Sequence, residues 1–473
     1  MPATSLISED PLSAQFNRVA QAAGQSAQPD SQTNSHSASE PTIRRLSNGL
    51  TIIAEQMSAD VVNLGLWLNV GSRVESDAIN GMAHFLEHMI FKGTPLISQG
   101  EFERQVEERG AKMNAATSQD YTHFYITTAL KDFATLAPLQ VELVMNPSLE
   151  DAHFEREKPV ILEEIRRAED SPARRAFYRS MQMSFDKLPY RRPVLGPFSV
   201  IENLSAEQMR AFHHTWYQPQ NMTAVVVGNL PVEEMIATIE ASFERAIATS
   251  RRDRISPTLT QQLKQPVPST QPEAPFPAVH RQTHIDDALQ QAKLIVSWRV
   301  PGMRSIEQTY PLDVAAYILG QGRTARLVDD LRENQHLVSS ISARNMTYGN
   351  QGVFYISATM ATTADATTAD VESALATTEA AILQHITRLH ERLVDISELD
   401  KVKTQVANRY IFASETPSDR AGIYGYHQAL TGDVRHALNY PEAIRQVSAE
   451  DVQLAVRQYL PLKAFGVMSL KPR

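Results

Sequence analysis

Two histidines and a glutamate fall within five positions of the stretch GMAHFLEHMIFKG (81–93): His84, Glu87 and His88. In a helix, residues three and four apart share a face, so both imidazoles can reach one ion. Glu87 then lies beside them, three after His84 and one before His88. Zinc held by three side chains keeps an open position for water and lowers the pKa of that water to about 7. A neighbouring carboxylate can take the proton and pass it to a leaving amine. The H-x-x-E-H spacing permits this chemistry and mirrors the H-E-x-x-H order. A surface helix with solvated charge would set such residues among other polar ones. Here Ala83, Phe85, Leu86, Met89 and Ile90 surround them, and polar groups in an apolar setting need partners. The chain has no cysteine, so a metal must rest on His, Asp and Glu.

The flanking segments predict the elements that hold this helix. In VVNLGLWLNVG (61–71), Val62, Leu64, Leu66, Leu68 and Val70 alternate, which predicts a half-buried strand. SQGEFERQVEERG (98–110) predicts a helix with a Ser98/Glu101 capping box and Gly110 as its stop. Two β-rich runs follow at 113–118 and 121–129, joined by a short turn, and the patterns of 130–147 and 366–396 are helical. Mixed strands and helices of this kind argue an α+β fold, each domain a mostly antiparallel sheet packed with helices.

Two related domains are expected. LSAEQMRAFHHTWYQPQNMTAVVVG (204–228) and VSAEDVQLAVRQYLPLKAFGVMSLKP (447–472) both read Ser-Ala-Glu, amphipathic helix, Tyr-x-Pro and apolar strand. Ser205 and Ser448 stand as N-caps, answered by Gln208 and Asp451. Such a match at the ends of two similar halves argues duplication. Residues 22–41 have almost no large apolar side chain, and a disordered leader is expected over 1–41. The Pro- and Gln-rich stretch 256–278 predicts a linker between domains at 42–255 and 279–473.

Composition narrows the classes of partner. The chain has 473 residues, 42% hydrophobic and 21% charged, enough for two cores. A formal charge of −9 argues against nucleic acid, which wants a basic face. No apolar run approaches the roughly 18 residues of a membrane span. The first residues, MPATSLISEDPLSAQFNRVAQ, lack a basic region followed by an apolar one, so no signal peptide and a cytoplasmic location are expected.

GSRVESDAINGMAHFLEHMIFKGT (71–94) resembles the inverzincin peptidases, the M16 or pitrilysin family. The branch most similar is the processing-peptidase-like one, with two repeated α+β domains forming half of a clamshell. The likeness continues through GAKMNAATSQDYTHFY (110–125), EREKPVILEEI (155–165), LPYRRPVLG (188–196), YQPQNMTAVVVGN (217–229) and LGQGRTARLVDDLRE (319–333). It implies one Zn²⁺ per chain, held by His84, His88 and a third ligand about 76 residues on. The residues alone leave Glu163 and Glu164 open for that ligand; the resemblance selects Glu164. It implies Glu87 as the catalytic acid–base. Glu157, seven before Glu164, would be a supporting acid at the catalytic site, although Pro159 should bend or restart a helix between them. Asn114 and Ala115 match a substrate-binding edge strand that pairs with an extended peptide.

Two departures from the family pattern carry expectations. The second domain keeps the substrate-binding arginine as Arg332, but Ser339 stands where a tyrosine is implied, and it has no H-x-x-E-H of its own. This chain therefore resembles the zinc-bearing member of a pair, with a homologous partner subunit supplying the Arg/Tyr pair as a heterodimer, a homodimer being the alternative. The stretch DSPARRAFYRS (170–180) is basic where acidic residues would read an arginine, so arginine-directed presequence cleavage is not expected. The expected substrate is a short or unfolded peptide. The rival reading is a non-catalytic assembly or scaffold subunit, against which stand the retained metal-site residues. His123, His213, His214, His385 and His390 lack ligand spacing and read as packing or surface residues.

Overall fold

The computed structural model describes residues 40–250, 270–361 and 367–473. The expected leader, as far as residue 39, and the expected linker, as far as residue 269, lie outside the described residues.

Two compact units share the chain, and they exchange segments. Unit one takes the described residues up to Ile165, resumes at Pro193, and recovers Ile411–Ala437 from the C-terminal half. Unit two takes Arg166–Arg192, the chain from after the linker to Tyr410, and Leu438–Arg473. The exchanged segments, Arg166–Arg192 and Ile411–Ala437, are where these units depart from the expected domains at 42–255 and 279–473.

In unit one, strands β1 (Thr42–Arg45), β2 (Thr51–Gln56), β3 (Val61–Leu68), β4 (Lys112–Thr117), β5 (Thr122–Ala129) and β6 (Met222–Gly228) form one sheet. Its order is β1-β2-β6-β3-β5-β4, with β2 and β6 parallel and the other pairs antiparallel. The central strands are built from VVNLGLWL and MTAVVVG, whose β-branched side chains suit a pleated, buried surface. The alternation in 61–71 predicts one buried face, but β3 is buried on both, Asn63 and Trp67 included. The helix Pro417–Thr431 is the cause, since it packs on β3 and β6. A Cβ on Gly425 would lie 2.0 Å from Trp67 Nε1, so only glycine lets the backbone come this close. Buried Glu55 of β2 fastens this helix, accepting from Arg420 Nη1 at 2.7 Å and Tyr424 OH at 2.8 Å.

Unit two holds β7 (His280–Ile285), β8 (Lys293–Pro301), β9 (Val338–Thr347), β10 (Gln351–Met360) and β11 (Gly466–Lys471), in the order β7-β11-β8-β10-β9. Strand by strand this repeats β2-β6-β3-β5-β4, including the parallel first pair. The likeness of the two tails is therefore a likeness of topology. The helices Ala206–Trp216 and Ala449–Tyr459 precede β6 and β11, and both begin with the expected capping box. The exchanged segment contributes Met181, Phe185, Leu188 and Tyr190 to a core with Met346, Tyr348 and Val353. Tyr190 and Tyr348 stack there with centroids 4.5 Å apart.

One expected cap is absent. The helix Glu101–Glu108 starts from Gly100 at φ +81 with no side-chain cap; Ser98 contributes only its carbonyl, to Glu101 N at 3.0 Å. The Glu101 carboxylate instead takes hydrogen bonds from Arg104. No helix of the described residues is long and apolar enough to cross a membrane.

Candidate metal centre

The H-x-x-E-H stretch forms the helix Met82–Ile90, as its spacing predicts. Its N-terminus lies on Gly81, whose φ of +98 and whose approach to Leu195 O (2.5 Å from a built Cβ) both demand glycine. Glycine offers no capping side chain, and the first N–H groups of a helix need acceptors. Glu75, fully buried, supplies them. Its Oε2 accepts from Gly81 N at 2.9 Å and Asn80 Nδ2 at 2.8 Å, and its Oε1 accepts from Ala83 N at 2.7 Å. A carboxylate here also complements the positive end of the helix dipole.

Glu164 comes from the helix Asp151–Asp170. Its Oε2 lies 3.5 Å from His84 Nε2 and 3.6 Å from His88 Nε2. One ligand atom from each of the three residues falls within 4.8 Å of the other two, the only such group of His, Asp and Glu among the described residues. The imidazole rings stand 4.9 Å apart at 65°. His84 is 1% exposed, and neither its Nε2 nor that of His88 has a hydrogen-bond partner. Buried imidazole nitrogens left without hydrogen bonds are costly in a protein alone. Converging on a carboxylate, they fit a divalent ion that prefers nitrogen and oxygen donors.

His88 is oriented from behind. Its Nδ1 donates to Glu157 Oε1 at 3.0 Å, while Lys92 Nζ holds Glu157 Oε2 at 2.7 Å. Glu157 and Glu164 are two turns apart on one helix, so a single element brings both to His88. Pro159 does not restart this helix, which runs unbroken through it for 20 residues.

Burial, then the neighbouring His88, holds the His84 imidazole well below its ordinary pKa, which leaves it neutral as a ligand must be. Burial also lowers His88, but its hydrogen bond to Glu157 and the charges of Glu164 and Glu87 outweigh this and hold it above its ordinary value. For Glu157 burial pushes upward, and its bonds to His88 and Lys92 bring it below the usual carboxylate range. Glu87 is 4% exposed; burial raises its carboxyl, against a hydrogen bond from Thr117 and the nearby His88. That bond runs from Thr117 Oγ1 to Glu87 Oε2 at 2.5 Å.

Asn114 and Ala115 lie on β4, the edge strand, which pairs with β5 on one side only. The Asn114 Oδ1 accepts from Ala115 N at 2.9 Å. Arg332 belongs to unit two, in the π-helical turn Val328–Asn334, paired with its neighbour Glu333 at 2.5 Å. Ser339 lies in β9, its hydroxyl 3.3 Å from Gln291 Oε1 and from Thr359 O. The histidines without ligand spacing have other partners: His213 Nε2 bonds Val144 O, His123 stacks on Trp67, and His385 pairs with Asp330.

Sequence reasoning missed Glu75 and Thr117. A glycine opening a buried helix signals a missing cap, which points to an acceptor such as Glu75 without naming it. Thr117 gives no signal, because a threonine in a strand is ordinary.

The family model described as Insulinase (Peptidase family M16) matches residues 50–198, and the one described as Peptidase M16 inactive domain matches residues 203–406. A zinc protease of Helicobacter pylori, PqqE, is 26% identical over 430 residues, 90% of this chain and 92% of its own. An uncharacterized zinc protease of Rickettsia bellii is 26% identical over 411 residues, 87% of this chain and 92% of its own. The crystal structure of a protease from Helicobacter pylori superposes with a TM-score of 0.81 at 24% identity, covering 92% of this chain and 100% of that one. A putative M16-like peptidase from Alicyclobacillus acidocaldarius gives 0.75 at 20% identity, covering 92% and 98%. The two family models run in sequence over most of the chain, and the solved structures share its fold; the protein belongs to peptidase family M16.

Proposed function

We propose that this chain is a zinc metalloendopeptidase subunit that hydrolyses short or unfolded peptides. The observation that carries the reading is the convergence of His84 Nε2 and His88 Nε2 on one oxygen of Glu164, with Glu87 on the same helix. Held by His84, His88 and Glu164, one zinc ion per chain would supply the Lewis acidity that lets water lose a proton near neutral pH.

Glu87 takes that proton as the water oxygen adds to the peptide carbonyl carbon. It then returns the proton to the amide nitrogen as the C–N bond breaks. Glu157 acts through His88, fixing which nitrogen faces the site. The free edge of β4, with Asn114 and Ala115, suits an extended peptide held by main-chain hydrogen bonds, which give affinity with little sequence preference.

Ser339 cannot supply the tyrosine hydroxyl that the family resemblance implies. A homologous partner subunit with an Arg/Tyr pair therefore completes the site, as a heterodimer, in the cytoplasm. The rival reading, a non-catalytic scaffold subunit, draws on the description of residues 203–406 as an inactive domain. The test is zinc content together with cleavage of a quenched fluorescent peptide library, for the chain alone and with a homologous chain carrying the Arg/Tyr pair. Bound zinc and cleavage that needs the second chain support the reading. Full cleavage by the single chain overturns the partner, and bound zinc without cleavage in either setting favours the scaffold.

A further inference from the structure

Glu87 ends in a carboxylate that can rotate about its last bond, and a general base must hold its lone pair towards the proton it takes. Thr117 restrains it. The threonine hydroxyl lies 2.5 Å from Glu87 Oε2, within the range of a short, charge-assisted O–H···O⁻ bond. The bond is made to Oε2, so it fixes the plane in which both carboxylate oxygens lie. Thr117 is itself firmly set. It closes β4 opposite Thr122, which is fully buried and donates its own hydroxyl to Val70 O at 2.7 Å. Its β-branched side chain has few rotamers to choose from.

The strand that carries Thr117 is the one whose free edge suits a peptide. Ala115 and Thr117 share one face of β4 by the two-residue period, and the helix Met82–Ile90 packs on this strand. From this geometry we infer that Thr117 is a positioning residue, whose hydroxyl fixes the Glu87 carboxylate and ties the orientation of the base to the strand that receives the peptide. The inference rests on the reading of Glu87 as the acid–base. A merely structural threonine would show its loss in folding or in metal content. A positioning threonine shows it in turnover, because a small misplacement of a catalytic group is expensive.

The test uses Thr117→Val, which keeps the shape and removes the hydroxyl, and Thr117→Ser, which keeps the hydroxyl. Each is made alone and on a Glu87→Gln background. Thr117→Val is expected to lower kcat about 10- to 100-fold, the range for a hydrogen bond to a charged group. KM, zinc content and melting temperature should stay near wild type, and Thr117→Ser should recover most of kcat. On the Glu87→Gln background, Thr117→Val should have no further effect on the residual rate. Unchanged kcat in Thr117→Val overturns the inference, as does an equal loss in Thr117→Ser or a full additional loss on the Glu87→Gln background.

Crystal structures of wild type and Thr117→Val judge it without turnover. The Glu87 carboxylate should hold one orientation in the first and rotate or split in the second; the same single orientation in both overturns the inference. If wild type bound zinc and cleaved nothing, the peptidase reading would fall, and the crystallographic comparison would still decide the role of Thr117.

Discussion

His88 donates its Nδ1 proton to Glu157, and this leaves Nε2 as the nitrogen that faces His84 and Glu164. The second Glu157 oxygen is held by Lys92, so the carboxylate cannot easily turn away. Partners of metal-ligating histidines set tautomer and ring angle, and their loss typically costs 10–100-fold in metal affinity. Glu157→Gln should therefore weaken zinc binding by about that factor while the protein stays folded. Competition against a chromophoric chelator measures it. An unchanged affinity would show that ring packing alone orients His88.

Glu87 lies one residue from His88, but its carboxylate is bound by Thr117, whereas the Glu164 carboxylate is the one that approaches the His84 and His88 nitrogens. Removing its charge should leave the metal in place and stop the proton transfer. Glu87→Gln should retain one zinc per chain and lose activity by on the order of 10²–10⁴, the usual worth of a general acid–base. Metal analysis beside a cleavage assay separates the two effects. Loss of zinc with activity would make Glu87 a structural member of the site.

Glu75 accepts three hydrogen bonds at the start of the Met82–Ile90 helix, all buried. Glu75→Ala strands those donors, and a buried donor left unsatisfied costs about 1–3 kcal/mol. A loss of about 3 kcal/mol or more is expected, read as a lower denaturation midpoint at unchanged slope. Glu75→Gln, which keeps one acceptor oxygen, should lose less. Equal stability for wild type and Glu75→Ala would mean that water replaces the carboxylate.

The trio His84, Glu87 and His88 is legible in the sequence because a helix converts spacing directly into a shared face. Glu164 is not legible from spacing, because Glu163 lies next to it; the family resemblance points to Glu164, and the meeting of two distant helices brings its carboxylate to the imidazoles. Thr117 and Glu75 lie 30 and 8 or fewer residues from the groups they hold, on ordinary strand and loop positions, so no local period marks them. The repeated topology is legible in the two capped tails. The exchange of helices between units is not: the pattern of Pro417–Thr431 fits a packed helix, but nothing in it names β3 as the surface it covers. The expected Ser98 cap fails for a similar reason, since Gly100 in the left-handed region moves the helix start past the serine.

Asp313, in unit two, allows a prediction on pH. Its carboxylate accepts from Asn345 Nδ2 at 2.8 Å and from Tyr440 OH at 3.0 Å. Burial still dominates and pushes the carboxyl from its ordinary 3.8 up to about 7, against the lowering effect of both hydrogen bonds. An acid with a raised folded-state pKa binds its proton more tightly when folded, so the unfolded chain binds fewer protons between the two values. Its contribution to stability is full below pH 3.8 and is lost as the pH rises towards 7, above which the fold carries a buried anion. Asp313→Asn removes the ionisation at nearly constant volume. The difference in melting temperature, variant minus wild type, should therefore climb from pH 5 to pH 7 and level off near pH 8. Thermal scans across that range with both proteins measure it. A difference that stays flat with pH would mean that Asn345 and Tyr440 compensate the burial fully and that Asp313 titrates as an ordinary carboxylate.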